Sequence, residues 1–323
     1  MASPKLRAFR SRVLYRGLVV VTAIGRRIPL RVGQFLGRRI GNLAYYVARR
    51  ERRKALRHIA IAFPDWSEAQ SRETIRAMFR HFGMSLFELA WLPNMNERRR
   101  EETTIVEGID RILELLDSGR GVIQFTAHCG NWEWLAYSLG TYGRPVSVLH
   151  RERDNPDMNR YIIDLRGSAG VRTIGRGSTS SAKEMIQAIR KGGMLAFVLD
   201  QNIRTESVKV PFFGVPAPTP VGPVKFAIRT EANISISYIH RMPDGRHHAV
   251  FLPPIQCHKD DDPIELAARI TRAYEEHIRR NPEQWVWMHD RWKERPMWDV
   301  TEQEKSRRGA TLPEESAESS RTP

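Results

Sequence analysis

A histidine and two carboxylates are the residues of this 323-residue chain best suited to acid–base chemistry. His128 and Glu133 lie in the stretch TAHCGNWE, residues 126–133, and Asp200 follows a strongly apolar segment. Histidine titrates near neutral pH, so it can take a proton from a hydroxyl group as that group attacks. A neighbouring carboxylate would fix the imidazole tautomer and stabilise the imidazolium. These residue types favour attack by a hydroxyl with His128 as the general base.

The spacing of the histidine and the first carboxylate leaves open which carboxylate contacts the imidazole. His128 and Glu133 are five positions apart, so a straight helix would not place both on one face. Gly130 permits a sharp turn, and Asn131 could cap a helix that begins after it. Asp200 offers a second carboxylate for the same role. A histidine that is only hydrogen-bonded at a strand end is the structural alternative.

Thiol and metal chemistry are less favoured by the same stretch. Cys129 follows His128 directly, and adjacent residues of an extended chain point apart, so the two are poorly placed to exchange a proton. The spacing is not that of a His-Glu-x-x-His zinc site, and no third ligand is evident. Cys129 and Cys257 are the only cysteines, which excludes a four-cysteine metal site and favours a reduced, cytoplasmic setting. We therefore predict neither a metal nor a cofactor.

Strands and helices alternate through the middle of the chain, with a period of about 25 residues. The sequence predicts strands at 121–126, 146–149, 171–174 and 194–199, with helices at 131–140, 156–168 and 180–191 between them. It predicts further helices at 66–92, where Ser67 would be the N-cap, and at 222–231 and 262–280, with a hairpin at 234–252. Such alternation is typical of right-handed βαβ units in a mostly parallel sheet.

Polar side chains follow three of the predicted strands. His128 follows the first, Arg151 and Arg153 follow the second, and Asp200 follows the fourth. Ligands of open α/β sheets bind beyond the carboxyl ends of the strands, so we expect a site at this edge. The two arginines could clamp phosphate groups, or they could belong to a solvated charged loop. The Pro- and Gly-rich segment 201–222 is predicted to be a long functional loop.

The positive charge of the chain is concentrated at its N-terminus. Residues 1–60 hold fourteen Arg, two Lys and one acidic residue, so this segment accounts for the whole net charge of +15. The arginines alternate with apolar residues, a pattern typical of amphipathic helices whose basic side chains reach lipid phosphates. The longest uncharged run, 17–25, is about half of the roughly 20 residues that a spanning helix needs.

These observations predict a membrane anchor at 1–60, a catalytic domain at 61–300 and a disordered tail at 301–323. Arginine-rich flanks favour the cytoplasmic face of the inner membrane. A nucleic-acid-binding arm and a solvated helical face are the alternatives for the basic segment, and we favour no nucleic-acid partner. The aromatic stretch 285–292 is interpreted as core packing, with an interfacial belt as its alternative.

Four blocks of sequence resemble the late acyltransferases of lipid A biosynthesis and the related phosphatidylinositol mannoside acyltransferases. They are AHCGNWEW, with His128 and Glu133, LDQN, with Asp200, VPFFGVPAPTPVGP at 210–223, and PEQWVWMHDRWKERP at 282–296. The blocks occur in the family's order, and the resemblance extends to about residue 297.

The resemblance implies a three-layer α/β/α acyltransferase fold with an N-terminal membrane-associated helical segment. It implies transfer of an acyl group from an acyl carrier protein or coenzyme A thioester, a co-substrate and not a cofactor, to a hydroxyl of a membrane glycolipid. By the same resemblance His128 would be the base and Glu133 or Asp200 its partner. Arg151, Arg153 and Arg166 would contact substrate phosphates, and Phe212, Phe213, Gly214 and Thr219 would contact substrate, with the Phe-Phe-Gly turn along the acyl channel.

Three other functions stay open at this point. The enzyme could act on another phospholipid or on a phosphatidylinositol mannoside. It could hydrolyse the thioester on the same scaffold. The chain could instead be a non-enzymatic protein that binds anionic membranes or nucleic acid through its basic arm.

Overall fold

The computed structural model describes residues 15–16, 19–20, 22–150, 155–176 and 179–293. Arg151, Arg153, the predicted tail at 301–323 and most of the first 21 residues lie outside the described residues, and so do the predictions made for them.

Three long helices dominate the first part of the described chain. A short helical segment, 22–25, precedes α1 (Leu30–Val47), α2 (Arg49–Ala62) and α3 (Glu68–Trp91). Ser67 begins α3 with a capping box, because its hydroxyl accepts from Gln70 N while the Gln70 side chain accepts from Ser67 N. A short 3₁₀ helix (Leu92–Asn94) containing Pro93 follows α3, and then comes α4 (Glu97–Thr103).

The middle of the chain alternates between strands and helices, as predicted. The elements are β1 (Thr104–Glu107), α5 (Asp110–Asp117), β2 (Val122–Thr126), α6 (Trp132–Gly140), β3 (Val146–His150), α7 (Pro156–Gly167), β4 (Val171–Gly175), α8 (Thr179–Arg190) and β5 (Met194–Val198). The remaining elements are β6 (Ser207–Phe212), β7 (Val215–Pro220), α9 (Gly222–Arg229), β8 (Asn233–Arg241), β9 (His247–Phe251), β10 (Ile255–Gln256), α10 (Pro263–Arg280) and a 3₁₀ helix (Pro282–Gln284).

The main sheet has the strand order β1-β9-β8-β2-β5-β3-β4, with β10 paired to β8. Strands β8, β2, β5, β3 and β4 are mutually parallel. The β8–β9 hairpin reverses direction, and β1 lies parallel to β9 at the edge. The predicted mixed α/β fold with a mostly parallel central sheet is thus confirmed. The sequence did not predict β1, whose four residues are too few to show a clear alternation.

Two separate apolar cores lie on the two faces of the sheet. Ile123 and Phe125 of β2 belong to one core, while Val122 belongs to the other, because successive strand residues point to opposite faces. The first core is shared with α2, α3, α9 and α10, and the second with α5, α6 and α7. Helices therefore cover both faces, as a parallel sheet requires.

The segment predicted as a loop at 201–222 is instead mostly the two-stranded hairpin β6–β7, so that prediction was wrong. Its prolines argued against strands, but each strand has a free edge in a two-stranded ribbon, where a missing N–H is tolerated. Phe213 and Gly214 form the turn with φ values of 53° and 73°. Positive φ at both central residues matches the twist of a two-residue hairpin turn.

Helix α1 packs on α3 through its small residues and exposes its large ones. A Cβ at Gly37 would lie 2.5 Å from Gly83 O, so the two helix backbones can meet only because these positions are glycine. The opposite face of α1 leaves Phe35, Ile40 and Leu43 more than half exposed. Among the helices that the structure describes, none combines the length and apolar content that a membrane crossing requires.

Candidate active site

His128 and Asp200 form a directly bonded pair at the carboxyl edge of the sheet. The distance from His128 Nδ1 to Asp200 Oδ1 is 2.7 Å, and the main-chain N–H of His128 donates to Asp200 Oδ2 at 2.9 Å. The Asp200 side chain is 1% exposed, whereas that of His128 is 19% exposed. The carboxylate thus holds one imidazole nitrogen from within the protein, which leaves Nε2 as the nitrogen available to a substrate.

Asp200 is kept ionised by the groups around it. Burial by itself raises the pKa of this carboxyl, but the charge of His128 and hydrogen bonds from His128 and Trp285 lower it below its usual value. Trp285 Nε1 donates to Asp200 Oδ2 at 2.7 Å. Sequence reasoning treated Trp285 as a packing residue, which it is, since it is 1% exposed, but its indole N–H also orients the carboxylate.

The topology explains why residues 72 positions apart meet. Strands β2 and β5 are parallel neighbours, so their carboxyl ends lie side by side. After β2 the chain passes to α6 on one face, and after β5 it passes to the hairpin β6–β7 and α9 on the other face. Between two such strands lies a topological switch point, the usual location of ligand sites in open α/β sheets.

A tight turn connects His128 to α6. Gly130 has a φ of +55°, and a Cβ there would lie 2.4 Å from Ile239 O, so both the turn and the packing require glycine. Asn131 is the N-cap of α6, because its Oδ1 accepts from Trp134 N at 3.1 Å. Both local predictions are confirmed. The turn also places the Trp132 ring edge-on to the His128 imidazole, with 4.8 Å between centroids.

Glu133 pairs with Arg166 and not with His128. Arg166 Nε donates to Glu133 Oε2 at 2.9 Å, and Arg166 Nη2 donates to Glu133 Oε1 at 2.5 Å, a bidentate geometry. Both side chains are largely buried, at 13% and 18% exposure. Of the two carboxylates that the sequence left open as partners of the imidazole, the structure brings Asp200 to it and directs Glu133 toward α7.

A cavity of about 820 Å³ opens beside the pair and extends over the sheet edge. His128, Trp132, Glu133 and Arg166 all line it. On one face it is bounded by apolar side chains of α6, β3 and α7 (Leu135, Leu139, Val146, Val148 and Leu165), and on the other by residues of α8 and α9 (Met185, Pro223 and Phe226). A mainly apolar cavity with a few convergent polar groups is typical of a ligand-binding or active site.

Four residues that the resemblance placed against the substrate lie elsewhere. Phe212 and Phe213 pack against one another and against Trp285 and Trp287, respectively, and neither lines the cavity. Gly214 completes the hairpin turn, and buried Thr219 accepts a hydrogen bond from Arg291 Nη2 at 2.6 Å. The hairpin therefore supports the wall behind Asp200, while the neighbouring residues Pro220 and Gly222 reach the cavity.

Cys129 is unsuited to act as a nucleophile. Its side chain is 1% exposed, and burial and then the charge of Asp200 raise the pKa of the thiol well above its usual value. A buried, protonated thiol is inert. This geometry agrees with the sequence-based preference for histidine chemistry.

A buried polar network that the sequence did not reveal supports the turn after His128. The Glu88 carboxylate accepts from Arg241 Nε at 2.8 Å, from Gln34 Nε2 at 2.8 Å and from Asn131 Nδ2 at 2.9 Å. Glu88 is fully buried. Because it bonds with the N-cap of α6, Glu88 ties α1 and α3 to the loop that carries the imidazole. Its position inside a helical apolar pattern, where charges are rare, was the only signal in the sequence.

Comparison with known proteins gives one consistent family. Residues 2–294 match the family described as "Bacterial lipid A biosynthesis acyltransferase". The lipid A biosynthesis lauroyltransferase of Escherichia coli K12 is 29% identical over 282 residues, which are 84% of this chain and 88% of that protein. The palmitoleoyltransferase of the same strain is 28% identical over 277 residues, with the same coverage.

A phosphatidylinositol mannoside acyltransferase of Mycobacterium tuberculosis (strain CDC 1551 / Oshkosh) is 26% identical over 228 residues, 67% of this chain and 69% of that protein. The relatives therefore share the transfer of acyl groups and differ in the lipid that receives them. With a family match across nearly the whole described chain, and a histidine–aspartate pair beside an apolar cavity, the chain belongs to the bacterial lipid A biosynthesis acyltransferases and is an acyltransferase.

Proposed function

We propose that this enzyme transfers a fatty acyl group from an acyl carrier protein or coenzyme A thioester to a hydroxyl of a membrane glycolipid. A lipid A precursor is the favoured acceptor, because the lipid A relatives align over more of this chain than the mannoside relatives do. No metal and no cofactor take part. The observation that carries the proposal is the His128–Asp200 pair beside an apolar cavity.

In the proposed reaction His128 Nε2 removes the proton of the acceptor hydroxyl as its oxygen attacks the thioester carbonyl. The carbon–oxygen bond forms, the carbon–sulfur bond breaks, and the proton leaves with the thiol. Asp200 keeps the proton of the resting imidazole on Nδ1 and stabilises the imidazolium that forms during attack. Its lowered pKa supports this role, because the carboxylate must be ionised to do either.

The shape and lining of the cavity support a fatty acyl substrate. The wall formed by α6, β3 and α7 is apolar, and burying methylene groups against it is favourable by about 0.8 kcal/mol for each CH₂. Two relatives, a lauroyltransferase and a palmitoleoyltransferase, are named for long acyl chains, which agrees with this lining.

We further propose that the enzyme works on the cytoplasmic face of the inner membrane through its N-terminal segment. Helix α1 exposes a row of apolar side chains (Val32, Phe35, Leu36, Ile40, Leu43, Tyr46 and Val47). Exposed Arg38 and Arg39 lie within the same helix. An apolar face interleaved with arginines fits the interface of an anionic bilayer.

The decisive experiment compares His128→Ala with wild-type enzyme in an assay with an acyl thioester and a lipid A precursor. We expect turnover to fall by about 10²- to 10⁴-fold, the usual contribution of general base catalysis. Cys129→Ser is the matched control and should keep most of the activity, since the thiol is buried and protonated. Near wild-type turnover in the His128 variant would refute the mechanism, and loss of activity in the Cys129 variant would revive a thiol route.

The same assay separates the remaining functions by their products. Free fatty acid formed equally with and without lipid acceptor would identify a hydrolase. Acylation of a phosphatidylinositol mannoside in preference to a lipid A precursor would reassign the acceptor.

A further inference from the structure

We propose that Arg176 and Arg229, two arginines that line the cavity, form a phosphate-binding subsite separate from Arg166. This inference rests on the proposed function, in which both substrates can carry phosphate groups: the phosphopantetheine arm of the thioester and the head group of the glycolipid. The subsite would hold one of these phosphates while the reacting atoms lie at His128.

Arg166, which the family resemblance assigned to phosphate, is already neutralised. Its Nε and Nη2 are both bound to the Glu133 carboxylate. Its third nitrogen, Nη1, lies 3.5 Å from His150 Nδ1. A guanidinium with a bidentate carboxylate has little remaining charge or donor capacity for a phosphate, so the anion must be sought elsewhere along the cavity.

Arg176 lies at the sheet edge next to the end of β3. Its main-chain N–H donates to His150 O at 2.8 Å, and its side-chain Nη2 donates to Arg204 O at 3.1 Å. The second bond anchors the guanidinium through a neutral carbonyl, so its charge is not compensated. Among the residues that the structure describes, no carboxylate pairs with Arg176, and its side chain lines the cavity.

Arg229 reaches the same cavity from the other face of the sheet. Gly222, Pro223, Phe226 and Arg229 follow one another at helical spacing along the side of α9 that lines the cavity. The side of α9 that lines the cavity is therefore apolar in the first turns of the helix and cationic at its end. Within the described chain Arg229 also has no carboxylate partner, and it is exposed to solvent.

Two guanidinium groups that line one cavity, each without a carboxylate partner among the described residues, favour phosphate. Unpaired arginines offer forked donors that match phosphate oxygens, and each charge-assisted bond contributes more than a neutral one. A mainly apolar cavity with two such arginines in its lining fits a molecule with a long acyl chain and a phosphate. The two arginines thus determine how a substrate is placed, while His128 acts on it.

The test measures phosphate preference in a binding assay that needs no turnover. The His128→Ala enzyme is titrated with 4′-phosphopantetheine against pantetheine, and with a short-chain glycolipid with and without its phosphate. In one of these two ligand pairs, we expect the phosphorylated member to bind about 10- to 100-fold more tightly than the member without phosphate. Arg176→Gln/Arg229→Gln should abolish that preference, and Arg176→Lys/Arg229→Lys should restore part of it.

Arg190→Gln is the matched control, because it removes an exposed arginine from the end of α8, outside the cavity lining. It should leave the phosphate preference unchanged. The ligand pair whose phosphate preference is lost in the double glutamine variant identifies the substrate held by the subsite. Loss with phosphopantetheine indicates the acyl donor, and loss with the glycolipid indicates the acceptor. In enzyme with His128 intact, the glutamine double variant should raise KM for that substrate and leave kcat within about threefold.

Two results would overturn the subsite: no phosphate preference in either pair before the arginines are changed, or an undiminished preference in the double glutamine variant. Neither result bears on the His128→Ala turnover assay, so failure of the subsite and failure of the proposed function are distinguishable.

Discussion

At the scale of single residues, the reactivity of the site depends on which atoms of Asp200 face which donors. Oδ1 contacts the imidazole, while Oδ2 accepts from the main-chain N–H of His128 and from Trp285. Three bonds therefore fix a carboxylate that burial alone would tend to protonate. The orientation of the imidazole follows from this arrangement. Because Glu133 is bound in a bidentate pair with Arg166, it does not compete with Asp200 for the imidazole of His128.

Asp200→Asn should preserve the shape of the site and remove most of the activity. The amide cannot stabilise the imidazolium, and its NH₂ group favours the tautomer with the proton on the wrong nitrogen, so kcat should fall by about 10²- to 10⁴-fold. Steady-state kinetics would check this, with KM expected to change little. Asp244→Asn is the control, since Asp244 is exposed and bonds only with Arg246 among the described residues. Asp200→Asn enzyme with full kcat would contradict the assignment of Asp200 as the partner of the base.

At the scale of elements, the loop that carries His128 is supported by a helix distant from it in the sequence. Glu88 of α3 joins Gln34 of α1, Arg241 of β8 and the N-cap Asn131. The main-chain N–H and C=O of Arg241 both bond with the side-chain amide of Gln284. The main-chain carbonyl of Gln284 in turn accepts from Gly130 N at 2.8 Å. Gly130 and Asn131 of this turn are thereby fixed to the core.

Glu88→Gln should destabilise the fold at neutral pH by about 3–5 kcal/mol, because it leaves the buried Arg241 without a counter-charge. Urea denaturation would measure the loss. Glu73→Gln on the same helix is the control, because Glu73 forms an exposed pair with Arg80 and should contribute less than about 1 kcal/mol.

The difference between wild type and Glu88→Gln should also depend on pH. Burial raises the pKa of Glu88, but the charges of Arg241 and His247 and the hydrogen bonds from both side chains together outweigh burial, so the pKa lies well below its usual value. The unfolded chain binds this proton at higher pH than the folded one. The stabilisation is therefore complete above about pH 4.5 and is lost as pH falls through the folded-state pKa. A difference that grew on acidification would contradict the network.

At the scale of the whole molecule, helix α1 presents an exposed apolar face that also carries arginines. The His128–Asp200 pair lies elsewhere, at the carboxyl edge of the sheet. Large apolar residues normally face a core, yet here the small residues of α1 face α3 and the large ones face outward. Contiguous exposed apolar surface of this kind marks an interaction site. We interpret it as the surface that rests on the bilayer.

Replacing Phe35 and Leu43 with Asp should weaken binding to vesicles of phosphatidylglycerol and phosphatidylcholine. Each buried apolar side chain contributes about 1.5–3 kcal/mol, so the double variant should lose most of its flotation with vesicles. Ile105→Asp, at an exposed position of edge strand β1, is the control. Unchanged flotation of the double variant, or binding to nucleic acid at physiological salt without binding to vesicles, would contradict a membrane role for α1.

The sequence by itself determined the local structure around the site. The strands β2, β3, β4 and β5 lie within a residue or two of their predicted bounds, because a buried strand is encoded by a short apolar run and its flanking turns. The turn at Gly130 and the cap at Asn131 were also predictable, since φ preference and capping are properties of a few adjacent residues. The four motif blocks sufficed to identify the family.

Only the tertiary structure decided which groups meet. The contact between His128 and Asp200 depends on β5 lying beside β2, a pairing across 72 residues that no local pattern encodes. The pairing of Glu133 with Arg166 and the network at Glu88 likewise depend on how helices pack. The prolines of the β6–β7 hairpin argued against strands until the two-stranded ribbon provided free edges for them. Local preferences act over a few residues, whereas the chemistry of this site depends on strand order and on burial of charge, which arise only when the chain folds as a whole.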